Sequence, residues 1–280
     1  GQGGGCGHEH RDFSYDNSFL VADPTTAFVL ETAGREWAVE HVTAGARSIS
    51  NGLTIPEFAT SHSQRVRTHF SRCRTRRAIT EQAAAHAVTA ADLMAVLRDH
   101  GTGGPTPRYS PVTGAMAAPC MHAGGLIAAS QTTASWVAEL SAGEARHWCT
   151  ATAAPCTGLF KPVRVTEPLD LGPAPDDHFD PAALWWRHEL LHRRCLADPG
   201  RLTERFTPER DELEAAWTAE PPSPPDAFAV ADRLLHRWID NVWRDDVDDR
   251  RPVWVRRYWR ERARRAALPA HPPTTTRRTP

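Results

Sequence analysis

The segment HELLH at 188–192 combines residue types that can bind zinc and activate water. On a helix, His188 and His192 lie one turn apart on the same face, and Glu189 is placed as the general base of a zinc-dependent hydrolase. A catalytic zinc ion needs a third protein ligand. One known continuation of the motif places that ligand at position 198, which is Asp198 in this chain. The segment is therefore incomplete as a zinc-peptidase site.

An amphipathic helix is the other interpretation of this segment, and it is the one that we expect. Leu184, Leu191 and a tryptophan would pack against the protein, while the two histidines and the glutamate would be polar surface residues. On this interpretation the protein has no metal site and needs no cofactor. GCGHEH at 5–10 also contains metal-ligating residue types, but without a known ligand spacing.

The cysteines do not form any CxxC pair. Free thiols of this kind are typical of a reducing compartment, so we expect reduced cysteines and a cytoplasmic protein. The six are Cys6, Cys73, Cys120, Cys149, Cys156 and Cys195.

Residues 17–55 predict an ordered β-meander. The elements in order are strand Phe19–Ala22, turn 23–26, strand Ala27–Ala33, a reversal at Gly34 and an alternating strand over 37–42. ARSIS at 46–50 predicts a fourth strand that runs into Asn51. The side-chain amide of Asn51 is both a donor and an acceptor, and it could contact a ligand or could simply belong to an Asn-Gly turn.

Residues 56–79 are polar and rich in arginine, without a sustained period, and they predict a surface excursion. Thr89 followed by Asp92 predicts the start of a helix. Further along, Ser135–Leu140 and Ala145–Thr150 predict a β-hairpin.

The C-terminal part is expected to be helical, and its start signals are Asp180-Pro181, Thr207-Pro208 and Pro225-Asp226. Arginines and aromatics alternate over residues 251–265, which could indicate an RNA-binding surface. We expect a solvated amphipathic helix instead, because Val255, Tyr258 and Trp259 fall on one helical face. The segment from Pro269 to the end is expected to be disordered.

Composition excludes several classes of protein. The 280 residues, with 40% hydrophobic residues, suffice for a buried core, and the formal net charge of -1 does not indicate a nucleic-acid binder. No apolar run approaches the ~20 residues that cross a bilayer. Antiparallel strands followed by helices predict the α+β class.

Several segments together resemble the secernin and dipeptidase family, the cysteine peptidases of family C69. The longest is the meander, YDNSFLVADPTTAFVLETAGREWAVEHV followed by RSISNGLTI. The others are LRDHG at 97–101, PCMH at 119–122, QTTASWVAEL at 131–140, APCTGLFKP at 154–162 and WWRHELLH at 185–192. The resemblance covers most of Gly1 to about Cys195.

Members of this family are N-terminal nucleophile hydrolases with an αββα sandwich, so the resemblance implies that fold and an amide substrate. It also implies attack by an N-terminal Cys whose own α-amino group is the base. Residue 1 is Gly, and the family places its nucleophile upstream of the GQGG segment. We therefore expect a fragment that lacks the nucleophile and its first strands and is inactive alone. Such a fragment would be poorly soluble, because missing strands expose edges and apolar surface.

The family pattern also suggests site residues. Asn51 corresponds to an asparagine near the substrate carbonyl, where it would donate to substrate or oxyanion. Cys120 and His122 would line the substrate pocket on the active-site side of the sheet, although a packing role for both is the alternative. The expected organisation is an incomplete αββα domain over 1–165, a helical region over 166–268 packed on it, and a disordered tail over 269–280.

The function expected from the resemblance is a C69-type cysteine amidohydrolase or dipeptidase. A non-catalytic, secernin-like interaction protein is the alternative, and a zinc metallopeptidase using HELLH is the third possibility. The expected partners are a small peptide or amide substrate and the missing N-terminal segment of the same protein, with an oligomer left open. No membrane or nucleic-acid partner is expected.

Overall fold

In the computed structural model of the protein, the described residues are 2–3, 15–63 and 69–273. Cys6 and the GCGHEH segment at 5–10 lie outside these ranges. So do residues 274–280 of the expected disordered tail.

An antiparallel sheet opens the described chain, with strands β1 (Gln2–Gly3), β2 (Tyr15–Ala22), β3 (Ala27–Ala33) and β4 (Glu36–Val42) in the order β1-β2-β3-β4. Asp23 Oδ1 closes the β2–β3 turn by accepting from the backbone N–H groups of Thr25 (2.7 Å) and Thr26 (2.8 Å). Gly34 has a φ of 63°, the left-handed conformation that the β3–β4 turn requires. The predicted meander is confirmed.

The predicted fourth strand at 46–50 is wrong. Apart from one isolated bridge at Ser50, these residues form no strand. The buried carboxylate of Glu31 on β3 accepts from the backbone N–H groups of Thr54 (2.7 Å) and Ile55 (3.0 Å). Because this carboxylate holds the chain across one face of the sheet, residues 46–50 do not extend beside β4.

The two faces of this sheet have different surroundings. Val29 and Glu31 lie on one face and are fully buried. The opposite face is apolar and exposed, and Trp37 on it has 66% of its surface accessible. No part of the described chain covers this face. The low solubility expected of the chain is not measured by this exposure and stays a prediction. The large exposed side chains that share it are Phe19, Val21, Phe28, Trp37 and Val39.

Helices α1 (Pro56–His62), α2 (Cys73–Ala84) and α3 (Ala90–Arg98) follow the sheet. The described residues of the surface excursion expected over 56–79 are mostly exposed or partly exposed, but they are helical, in α1 and the first half of α2, and Arg76 is buried. The Arg76 guanidinium donates to Asn51 Oδ1 and to Met116 O, both at 2.6 Å. This arginine therefore joins α2 to two distant segments, which an arginine-rich composition does not reveal.

The helix start predicted at Thr89 is confirmed as a capping box. Asp92 N donates to Thr89 Oγ1 at 3.2 Å, and Thr89 N donates to Asp92 Oδ2 at 2.8 Å. We expect Thr89→Ala to lower the free energy of unfolding by about 1 kcal/mol, because one helix N–H loses its acceptor. Thr60→Ala removes a hydroxyl that bonds only within its own helix, to Pro56 O, and should cost less than about 0.5 kcal/mol. Urea unfolding measures both, and equal losses would contradict the expectation.

A second antiparallel sheet has the order β5-β6-β7, with β5 (Trp136–Glu139), β6 (Arg146–Cys149) and β7 (Lys161–Val163). Its first two strands confirm the predicted hairpin, although each is shorter than predicted. Helix α3 packs on this sheet through a small buried core of Met94, Val137, Trp148 and Phe160.

Lys161, the only lysine of the chain, is buried on β7. Burial lowers its pKa from 10.5 to about 8. Between these two values the unfolded chain binds a proton that the folded protein does not, so stability rises with pH over this window. Below pH 8 Lys161 is protonated in both the folded and the unfolded state. The cost of burying its charge then lowers the free energy of unfolding in full.

We therefore expect the free energy of unfolding of the natural protein, measured relative to Lys161→Met, to rise by up to about 3 kcal/mol between pH 8 and pH 10.5. Urea unfolding of both proteins at several pH values measures this difference. A difference that stays flat across the window would contradict the expectation.

The C-terminal part is helical as predicted, with α4 (Leu184–Cys195), α5 (Pro199–Thr203), α6 (Thr207–Ala219), α7 (Pro224–Val242) and α8 (Val253–Arg265). The apolar stripe of α7 packs in the main core through Leu235, Trp238 and Val242. Helix α8 is the expected amphipathic helix, with Val255 and Trp259 buried. The main core contains Leu159, Leu190, Leu191, Cys195, Leu202, Phe206, Trp217, Ala227, Leu235, Trp238, Ile239 and Val242.

Antiparallel sheets and separate helices place the chain in the α+β class, as predicted. Within the described residues, none of the helices combines the length and the apolar character that a bilayer span requires.

Candidate metal centre

Four metal-ligating side chains meet in the interior, and together we call them the Cys2His2 cluster: His100, Cys120, His122 and Cys156. One donor atom from each lies within 4.8 Å of the other three. Cys120 and His122 are fully buried, His100 is 6% exposed, and Cys156 is partly buried. The cluster contains both residues that were expected to line a substrate pocket.

His122 Nε2 lies at the middle of the cluster. It is 3.0 Å from His100 Nε2, 3.4 Å from Cys120 Sγ and 3.5 Å from Cys156 Sγ. A tetrahedral zinc ion with Zn–N of about 2.0–2.1 Å and Zn–S of about 2.3 Å holds two nitrogens about 3.3 Å apart and a nitrogen and a sulfur about 3.5 Å apart. The two nitrogen–sulfur separations agree with the edges of such a tetrahedron, and the nitrogen–nitrogen separation is about 0.3 Å shorter than its edge.

Backbone hydrogen bonds bring the first three ligands together. His100 follows α3, and the carbonyl of its neighbour Asp99 accepts from Cys120 N at 3.1 Å. Ala115 N donates to His122 O at 2.9 Å, which closes the loop that carries both Cys120 and His122. The loop thus lies against the end of α3, although none of these residues belongs to a sheet strand.

Two arginines hold the turn that carries Cys156, between β6 and β7. Arg98 Nε donates to Pro155 O at 2.9 Å, and Arg210 Nη1 donates to Cys156 O at 2.6 Å. Arg98 also pairs with the buried carboxylate of Glu214 at 2.6 Å. Arg98 is the last residue of α3, and Arg210 and Glu214 belong to α6. Cys156, the fourth residue of the cluster, is therefore held in place from two helices.

A chain of hydrogen-bond contacts connects His122 to Glu189. Glu189 Oε1 accepts from His192 Nδ1 at 2.9 Å, and His192 Nε2 lies 3.2 Å from His122 Nδ1. In the arrangement in which His192 Nε2 accepts the Nδ1–H of His122, the lone pair of His122 Nε2 is directed toward the cluster. Arg193 Nε donates to the second Glu189 oxygen at 2.7 Å and so fixes the carboxylate.

His100 is oriented in the same way. Its Nδ1 lies 3.4 Å from Gly104 O, a carbonyl that can only accept, so the ring proton is on Nδ1. The Nε2 atom of His100 then faces the Nε2 atom of His122 at 3.0 Å. A cation that lies beside both nitrogens, either a proton or a metal ion, would satisfy this pair.

The cluster is also electrostatically suited to a cation. A hydrogen bond from Cys120, with His122 and His100 nearby, holds the pKa of Cys156 well below its ordinary value in spite of burial. Burial raises the pKa of Cys120 and lowers the pKa of His122. Burial would also lower the pKa of His100, but the Cys156 thiolate raises it overall. A buried thiolate that stabilises positive charge is a favourable metal ligand.

The polar residues of HELLH are buried, so their expected place on the protein surface is wrong. His188 is 3% exposed, Glu189 1% and His192 0%. Leu191 and Trp186 pack as expected, because this helix is surrounded by protein on nearly all sides.

HELLH also does not have the geometry of a zinc-peptidase motif. His188 Nε2 contacts Thr157 Oγ1 at 3.3 Å, while His192 Nε2 contacts His122. Glu189 is engaged by His192 and Arg193 and is not free to activate water. Its role in this structure is to orient one ligand of the Cys2His2 cluster.

Asn51 lies on the surface at the far end of the Arg76 contacts. Its Oδ1 accepts from Arg76 Nη2 at 2.6 Å, so its NH2 group is directed away from the guanidinium. Arg76 also binds Met116 O, in the loop that leads to Cys120. Asn51 and the cluster are therefore linked through one arginine, but Asn51 is not a member of the cluster.

His100 and Cys156 were not identified from the sequence, although they supply half of the cluster. Both lie in segments that carried the family resemblance, LRDHG and APCTGLFKP. PCMH supplies the other two ligands, and WWRHELLH supplies His192. The sequence showed a Cys or His in each of these four separate segments. These residues form a set of possible metal ligands only once folding brings the segments together.

No protein-family model matches this chain, and no solved structure was found to match it.

Proposed function

We propose that the chain is a zinc-binding protein and that the Cys2His2 cluster holds the ion. The observation that supports this most strongly is the pair of imidazole Nε2 atoms that face each other at 3.0 Å with both Nδ1 atoms engaged elsewhere. Two thiols complete a donor set of the kind that zinc prefers.

The role proposed for the ion is structural. Four protein ligands fill a tetrahedral coordination sphere and leave no open position for water or substrate, which is the pattern of structural zinc sites. The ligands come from the end of α3, from the 115–122 loop and from the β6–β7 connection. A bound ion would cross-link these segments, and His192 would extend the link to α4.

Metal analysis of the purified protein tests this proposal. We expect one zinc per chain, and we expect cobalt substitution to produce thiolate-to-metal charge-transfer absorption. Cys120→Ser and Cys156→Ser should each weaken that absorption and the binding of metal. Cys149→Ser and Cys195→Ser change buried cysteines outside the cluster and should retain both.

Two outcomes would refute the proposal. One is a folded natural protein that binds neither zinc nor cobalt. The other is a double Cys120→Ser, Cys156→Ser variant that binds metal as tightly as the natural protein.

A second proposal follows the resemblance to family C69: an amidohydrolase of dipeptidase type, acting in the cytoplasm on an αββα scaffold. The observation that favours it is the orientation of Asn51, whose Oδ1 is held by Arg76 so that its exposed NH2 group can donate to a carbonyl oxygen. Within this proposal Asn51 supplies the oxyanion contact, while the nucleophile is an upstream cysteine.

Dipeptide hydrolysis by the product of the complete reading frame tests this second proposal. Activity should vanish when the cysteine at the mature N-terminus is changed to Ala, and Asn51→Ala should lower kcat about 100-fold or more. Asn17→Ala is a control at the other end of the meander. Activity that survives the cysteine change would refute the mechanism. A complete absence of activity would favour the non-catalytic, secernin-like interaction protein.

A further inference from the structure

A cavity of about 580 Å³ lies apart from the Cys2His2 cluster, between β7, the 168–172 loop, α4 and α7. Its walls are largely apolar and include Leu184, Phe228 and Leu235. Four polar side chains in the wall are more than nine-tenths buried, and the two that can be charged are Lys161 and His188; the other two are Thr152 and Thr157. Apolar walls with a few buried polar groups are the usual composition of a small-molecule site.

Lys161 brings to this wall a positive charge that is not in an ion pair with any described residue. Its Nζ donates to Thr150 O (2.6 Å) and to Leu159 O (2.8 Å), so one of its three N–H donors remains. The ammonium also lies 5.1 Å from the centre of the Phe228 ring. Among the described residues no carboxylate forms an ion pair with it. Burial of an unpaired cation is costly, and an anionic ligand would offset that cost.

His188 brings an unused acceptor to the same wall. Thr157 Oγ1 donates its proton to Ala154 O at 3.1 Å, so the hydroxyl must accept from His188 Nε2 at 3.3 Å. The His188 ring is neutral, because burial lowers its pKa to about 4. Its Nδ1 therefore carries a lone pair, and this buried atom has no hydrogen-bond partner among the described residues. Such an acceptor requires a donor.

The cavity wall also contains an ion pair between Arg187 and Asp232, and this pair does not satisfy Lys161 or His188. Arg187 Nη2 binds Asp232 Oδ1 at 2.7 Å, and the two charges compensate each other. Arg187 Nε also lacks a hydrogen-bond partner among the described residues, but the charge of this side chain is already paired. Within the same residues, Lys161 lacks a paired anion, and His188 lacks a donor for its Nδ1. The first needs an anion, and the second needs a neutral N–H or O–H donor, since an ammonium group would be repelled by Lys161.

We propose that this cavity binds a small carboxylic acid with a large apolar side chain and a neutral donor next to the carboxylate, as in a 2-hydroxy acid. The carboxylate lies at Lys161, the hydroxyl donates to His188 Nδ1, and the apolar side chain packs against Phe228 and Leu235. This site needs no zinc, and it is independent of the amidohydrolase proposal.

Calorimetric titration of the full chain with three probes tests the inference. The probes are 3-phenyllactate, 3-phenylpropionate, which lacks the hydroxyl, and 3-phenylpropane-1,2-diol, which lacks the carboxylate. We expect 3-phenyllactate to bind at least about tenfold more tightly than either of the others. In Lys161→Met, 3-phenyllactate should bind no more tightly than the diol. In His188→Leu, 3-phenyllactate should bind no more tightly than 3-phenylpropionate.

Two further variants keep the test independent of folding defects. Arg164→Met changes an exposed basic residue beside β7 and should leave all three affinities unchanged. Ala231→Trp fills the cavity from α7 without removing a polar group and should weaken the binding of 3-phenyllactate at least about tenfold. The inference is overturned if 3-phenyllactate does not bind at millimolar concentration, if its affinity equals that of either probe, or if Ala231→Trp leaves it unchanged.

Discussion

Chelation of zinc from the Cys2His2 cluster is expected to lower the unfolding temperature by at least about 10 °C. Structural zinc contributes about 10–16 kcal/mol in zinc-finger peptides at pH 7. This is as large as the whole stability of a typical domain, about 5–15 kcal/mol. Here the loss includes four donor atoms, three of them on buried residues, that would be left without their common partner.

Thermal unfolding followed by circular dichroism, with and without a strong chelator, measures this effect. Cys120→Ser should already have the low unfolding temperature and should not respond to the chelator. Cys195→Ser is the matched control, because Cys195 is equally buried but lies outside the cluster. It should lose some stability and still respond. A natural protein whose unfolding temperature is the same with and without the chelator would show that the cluster does not hold a structural ion.

Glu189→Gln is expected to have the second-largest effect, although Glu189 does not touch the metal site. The change removes the negative charge that holds both His192 and Arg193, at 2.9 Å and 2.7 Å. Breaking a buried ion pair by removing one partner costs about 3–5 kcal/mol. Loss of a hydrogen-bond partner that orients a metal-ligating histidine lowers metal affinity about 10- to 100-fold. Both losses are expected together.

Zinc affinity, measured by competition with a chromophoric chelator, and urea unfolding provide the two readouts. Glu167→Gln is the control, because Glu167 forms an exposed pair with Arg164 and should change neither quantity appreciably. If Glu189→Gln destabilised the protein but left zinc affinity unchanged, the carboxylate would be a packing element and would not orient His122.

The parts of the fold that the sequence predicted correctly depend on neighbouring residues. The β2–β3 turn is stabilised by Asp23 bonding to the next residues of the chain, and the α3 start by a bond between Thr89 and Asp92. The apolar spacing of α7 likewise places Trp238 in the core. Each of these features is encoded within a few positions, so residue types are sufficient to predict it.

The features that were predicted wrongly depend on distant groups. Residues 46–50 do not form a strand because Glu31 binds the backbone at Thr54 and Ile55. The polar side of α4 is buried because His192 bonds to His122, a residue 70 positions earlier. The Cys2His2 cluster was not predicted, for the same reason. Helical periodicity indicates which residues share a face, but not which residues that face contacts.

The spacing of the four ligands has a consequence for how the chain reaches its native state. His100 and His122 are separated by 22 positions, and His122 and Cys156 by 34. Contacts at these separations carry a loop-closure cost, because the intervening chain must be ordered before they can stabilise it. The complete coordination sphere therefore exists only when α3, the 115–122 loop and the β6–β7 turn are already in place. If the cluster holds zinc as proposed, we therefore expect full-affinity metal binding only after these three segments have folded.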